Sequence, residues 1–193
     1  MNGVYMAIAN EIFAWGKVRP KQFARDDIEA VRDAAIAGQV PGRPTPWSSS
    51  YTKIAAASTH RADLDPTSQV LPQVSWDSRV SYAVTRLALP ALVGKQEIFE
   101  FLKKQLLVVP GRGGNRLNNG PWTTELRQQG WSFATGSWRL RCNAFWRCQI
   151  VGSQLIHAMV GKLNSLPRFA SERRGSHRWT SFDVALALFV EGY

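Results

Sequence analysis

The sequence predicts an α+β protein: a helical hairpin at the N-terminus, then a mixed core of strands and helices over about residues 79–190. Three observations predict it. Residues 1–38 repeat apolar side chains at helical spacing. Residues 138–150 alternate apolar and polar with period two. Between 79 and 190 the segments run strand, helix, strand, strand, helix, strand. That order is the ferredoxin-like, RNA-recognition-motif-like βαββαβ arrangement, with two helices on one face of a sheet and the other face open.

Within the hairpin, Val4, Ile8, Ile12 and Trp15 form one apolar stripe and Gly16 ends it. Pro20 sits where a first-turn proline is tolerated. Ala24, Ile28, Val31 and Ala35 form the second stripe. Asp26, Asp27 and Glu29 suit the positive end of that helix, and Gly38 is a C-terminal stop. Residues 39–77 read as an irregular linker or arm, because Pro41, Pro44, Pro46, Asp65-Pro66 and Leu71-Pro72 are turn signals. The chain thus divides into a helical extension (1–38), a linker (39–77) and a core (78–193).

In the core, Val80, Tyr82 and Val84 alternate with Ser81, Ala83 and Thr85, as a first strand reaching toward Leu89 would. Lys95 to Leu107 reads as a helix with Ile98, Phe99, Leu102 and Leu106 on one side. Trp131, Phe133 and Thr135 suggest a short strand. The long strand follows. Its even positions, from Trp138 through Cys142 and Cys148 to Ile150, are all apolar. Its odd positions are Arg139, Arg141, Asn143, Phe145, Arg147 and Gln149. Ser153 is placed to cap a helix carrying Leu155, Ile156, Met159, Val160 and Leu163. Phe182, Val184, Leu186, Leu188 and Val190 complete the core as a last strand, although Ala and Leu also suit a helix.

Charge divides the chain unevenly. Residues 1–100 hold 11 Lys and Arg against 10 Asp and Glu; residues 101–193 hold 13 against 4, a net of +9. Arginine supplies 17 of the 24 cations, and its planar fork suits phosphate and base stacking. Three basic clusters stand out. On the open strand face, Arg139, Arg141, Phe145 and Arg147 offer cations with one ring for stacking. A glycine-rich loop holds Arg112 and Arg116, where glycine lets backbone approach a phosphate. A third cluster holds Arg173, Arg174, His177, Arg178 and Trp179. Trp122 and Trp179, beside basic loops, are the best stacking candidates among eight tryptophans. Solvated basic surface is the competing reading of each cluster.

Other chemistries lack their residues. The glycine-rich loop has no Gly-Lys-Ser/Thr, so it is not a Walker motif. Cys142 and Cys148 would lie about 20 Å apart on a strand, beyond disulfide reach, and cannot build the usual paired-cysteine zinc site. Glu125, Glu172, Asp183 and Glu191 are too dispersed for a two-metal nuclease. No catalytic residue, metal or cofactor is therefore expected; His177 and His60 are the weak candidates for a general base in metal-independent RNA cleavage. Without a leader or a long apolar run, the chain is expected to be soluble, off the membrane, and cytoplasmic or within a viral particle.

Two stretches resemble a known family. Glu125-Leu126, followed by Trp131-Ser132-Phe133-Ala134-Thr135-Gly136-Ser137-Trp138-Arg139-Leu140-Arg141-Cys142-Asn143, looks like a signature of the backbone subunits of CRISPR Cascade complexes. Arg178-Trp179-Thr180-Ser181-Phe182-Asp183 resembles a downstream strand of the same proteins. Membership of that RAMP superfamily implies a ferredoxin-like core that binds guide RNA among other protein subunits. The combined expectation is a non-catalytic RNA-binding subunit of a ribonucleoprotein, either a CRISPR effector component or a viral relative or competitor of one. Its partners would be single-stranded RNA, or another nucleic acid, and neighbouring protein subunits. A viral coat or nucleocapsid protein and a RAMP-type ribonuclease are the alternatives.

Overall fold

A computed structural model of the chain describes residues 3–15, 25–91, 94–106, 124, 128, 130, 142–166 and 178–191. Among them the regular elements are seven α-helices and no strand. They are α1 (Gly3–Trp15), α2 (Arg25–Ala37), α3 (Ser49–Leu64), α4 (Ser78–Ala91), α5 (Gln96–Gln105), α6 (Cys142–Ser165) and α7 (Ser181–Glu191). This overturns the ferredoxin-like α+β core. The strands expected at 79–89 and 182–190 are helices α4 and α7, and most of the strand expected at 138–150 is the start of α6. The short strand expected around Trp131 lies outside the described residues.

The second helix of the N-terminal hairpin follows its sequence signals, whereas on α1 the buried residues are Ala9 and Phe13, and Ile8 and Trp15 of the expected stripe are exposed. Ile28, Val31 and Ala35 are buried on α2, and Asp26 and Asp27 occupy its first turn. Gly38 adopts a φ of 65°, in the left-handed region that glycine enters without a Cβ penalty. The Gly38 N–H donates to the Ala35 carbonyl, and the Gln39 N–H to the Ala34 carbonyl. These bonds satisfy carbonyls that the helix end would otherwise orphan. Residues 39–77, read as irregular, contain α3. Ser48 caps it, its Oγ accepting from the Tyr51 N–H at 3.3 Å.

Two apolar clusters hold the helices together. The first joins Ala9 and Phe13 of α1, Ile28 and Val31 of α2, Tyr51 and Ile54 of α3, and Trp47. The second gathers Val80, Ala83 and Val84 of α4, Ile156 and Val160 of α6, Val184 and Leu188 of α7, and Val74 with Trp76. Helix α6 belongs to both. Phe145 and Trp146 enter the first cluster, and Cys148, Ile156 and Val160 the second. The Trp146 Nε1 donates to the Thr45 carbonyl at 3.2 Å, so the start of α6 is also pinned by a buried polar contact.

That double burial explains the misleading alternation. Phe145, placed on an open face by the period of two, is only 3% exposed, and Gln149 is 1% exposed. Ala144, placed on the buried face, is exposed. Burial at 145, 149, 152, 153, 156 and 160 follows the helical period. Ser153, expected to begin a helix, lies buried within one. Its Oγ accepts from the Val74 N–H at 3.1 Å and donates to Gln73 Oε1 at 3.3 Å. Neighbouring Gly152 admits the Trp76 indole: a Cβ there would lie 2.3 Å from a ring carbon.

In α4, residues 80–85 are buried without interruption. Because all six are buried, Ser81, Ala83 and Thr85 lie inside together with Val80, Tyr82 and Val84, and the alternation of these residues does not separate a buried face from an open one. Asp77 starts α4, accepting from the N–H groups of Arg79 and Val80 at 2.9 and 3.1 Å. Thr85 tolerates burial because its hydroxyl donates to the Ser81 carbonyl at 2.8 Å.

Candidate nucleic-acid interface

Helix α6 is 24 residues long and contains no carboxylate. One side faces the two clusters; the other exposes Arg147, Gln154, His157 and Lys162. At 1.5 Å per residue, Arg147 and Lys162 stand about 22 Å apart along the helix, roughly six nucleotide steps of an extended duplex strand. Ala158 and Gly161 lie exposed between these polar groups and project little, as does Ala144 just before Arg147. Among the described residues neither Arg147 nor Lys162 has a carboxylate partner.

The C-terminal end of α6 anchors another cation. Asn164 Nδ2 donates to the Trp179 carbonyl, and the Trp179 N–H donates back to Asn164 Oδ1, both at 2.9 Å. This reciprocal clamp ties residue 179 to the last turn of α6, and exposed Arg178 directly precedes it. The dipole of a helix C-terminus favours cations there, and Lys162 also lies in that turn. Sequence positions 168, 173 and 174, between the two halves of the clamp, are all arginine.

Of the side chains expected to bind RNA, the structure presents Arg147 and Arg178 to solvent. Phe145 does not face outward: its ring packs 5.1 Å from the Trp47 ring inside the first cluster. The assignment of that ring to an open sheet face is corrected with the sheet itself. Trp179 is half-buried and packs against the second cluster. Arg112, Arg116, Trp122, Arg139, Arg141, Arg173, Arg174 and His177 lie outside the described residues.

His60 is exposed on α3, and its ring meets the Phe182 ring edge-on at 6.2 Å. The nearby Asp63 carboxylate is occupied at the start of α7, accepting from the Ser181 and Phe182 N–H groups, both at 2.9 Å. It does not orient the imidazole as a base would require. Exposed Lys162 is not among the side chains singled out from the sequence, although its place in a carboxylate-free segment is readable there. Among the described residues no cluster of His, Cys, Asp and Glu could hold a metal, and no helix is long and apolar enough to cross a membrane.

Comparison with protein-family models, with curated proteins and with solved structures finds no match.

Proposed function

We propose that this chain is a non-catalytic nucleic-acid-binding subunit that grips a phosphate backbone, with single-stranded RNA as the first ligand to test. The observation that carries the reading is the exposed side of α6, which holds Arg147 and Lys162 on a helix without a single carboxylate. Arg178, tied to the same helix end through the Trp179–Asn164 clamp, extends the positive surface. The net +9 of residues 101–193 supports it from sequence. With the expected sheet gone, Phe145 buried and Trp179 half-buried, the reading rests on charge as the main source of affinity. The binding is then tolerant of sequence and strongly sensitive to salt.

The test is fluorescence anisotropy on a labelled single-stranded RNA across a salt series. Arg147→Ala, Lys162→Ala and Arg178→Ala together should weaken binding at every salt concentration and flatten the log–log salt slope by about two to three. A slope unchanged by the triple substitution would remove α6 from the interface. A matched DNA strand in the same series reports whether the grip is selective for RNA.

A further inference from the structure

A second face of the molecule has another character. Helix α7 buries Ser181, Val184, Ala185 and Leu188 against its neighbours. On the opposite side, Phe182, Leu186 and Val190 recur every fourth residue and are 58%, 51% and 65% exposed. Leu64, 62% exposed, prolongs the row, because it lies one turn beyond His60 on α3 and the His60 ring touches Phe182. Single exposed apolar side chains are ordinary, but a continuous row over three turns marks a contact surface. The row is also held in place. Asp63 caps the start of α7, and Arg86 Nη1 donates to Glu191 Oε1 at 3.0 Å near its end.

We infer that this row is a homodimer interface, in which α7 packs antiparallel against α7 of a second copy. Charge favours this occupant at this face. Of the 13 cations in residues 101–193 none lies on α7, whereas two of the four carboxylates, Asp183 and Glu191, do. Helix α7 therefore adds no cation to a contact between two strongly basic molecules. Antiparallel crossing opposes the two helix dipoles and sets Arg86 of each copy toward the Asp183 end of the other. Parallel crossing would bring Asp183 against Asp183.

The size fits as well. The four apolar side chains expose roughly 400 Å², judged from the usual area of such side chains. A standard interface covers about 800 Å² per partner, of which a little over half is apolar. The row thus has the dimensions of an interface centre, with the polar residues around it as the rim. A two-fold axis through the middle of the row pairs Leu186 with itself and Phe182 with Val190.

Sedimentation equilibrium of the full chain, treated with nuclease and run at high salt to exclude bridging by nucleic acid, reads the association directly. The wild type should form dimers in a concentration-dependent manner. Leu186→Glu, on an exposed position that leaves the fold intact by circular dichroism, should raise the dissociation constant about tenfold or more. A wild type that stays monomeric at 100 μM, or a dimer unaffected by Leu186→Glu, overturns the inference. Oxidative cross-linking supplies the geometry against the wild-type baseline. Leu186→Cys should form a covalent dimer, whereas Phe182→Cys should cross-link only when mixed with Val190→Cys; equal self-linking of Phe182→Cys would overturn the antiparallel arrangement.

Discussion

The two ends of this molecule use similar numbers of cations in different ways. In the α1–α3 region, Arg25 pairs with Glu29, Arg32 with Asp33, and Arg43 with both Asp26 and Asp27. On α6 and at residue 178, the cations Arg147, Lys162 and Arg178 stand without carboxylates among the described residues. The difference lies in the placement of acid rather than in the amount of base. Paired cations on α2 help to solvate a helix that is buried on one side. The cations on α6 have no carboxylate partner among the described residues, and the proposed interface rests on that difference.

The sharpest way to break this comparison is to attack the packing that α6 shares between the two regions. Trp76→Ala should lower stability by about 3–5 kcal/mol, as expected for a fully buried tryptophan. Because α6 enters both clusters, denaturation followed by circular dichroism and by tryptophan fluorescence should remain one coincident transition in the wild type. Two separate transitions would show that the two ends fold independently. Gly152→Ala addresses the same contact more gently. The added methyl must displace the Trp76 ring, at a cost of about 1–3 kcal/mol in urea titration.

A smaller effect belongs to the link between α3 and α7. Asp63→Ala removes a carboxylate that accepts two backbone N–H groups from a helix start more than a hundred residues away. It should lower stability by about 1 kcal/mol, with earlier hydrogen exchange at the start of α7. An unchanged exchange pattern would show that Thr180 and Asp183, which bond reciprocally at the same helix start, suffice. The smallest effect is expected where cations are already paired. Arg25→Ala should change stability by less than about 0.5 kcal/mol, since exposed ion pairs contribute little. It should also leave RNA affinity within about twofold, against the loss expected for the α6 triple. An equal loss from both would end the distinction between paired and unpaired cations.

Legibility in the sequence varied by element. Ile28, Val31 and Ala35 of the second hairpin stripe, its acidic first turn and the Gly38 stop correspond to α2 and its C-terminal turn, and Ala24 lies outside the described residues. The helix read from Lys95 to Leu107 is α5, and the apolar repeat around Ile156 and Val160 belongs to α6. The charge asymmetry behind the proposed interface needed no structure. The strand at 138–150 misled because its alternation was read over a window too short to separate the periods. Its continuation to Val160 carries the helical period throughout. The last segment carried its own warning, since Ala and Leu are good helix formers and Thr180 with Asp183 is a helix-start pattern.

What the chain settles locally is where helices begin and end when a cap or a left-handed glycine is present, because those signals act over four or five residues. It also settles where charge accumulates. What required packing was the identity of α4, α6 and α7 as helices. Six successive positions of α4 are buried and α6 serves two clusters, so polar Ser81, Thr85, Gln149 and Ser153 lie inside and the apolar pattern alone does not mark the buried faces. Periodicity records how many faces an element buries, and that number is decided by its neighbours.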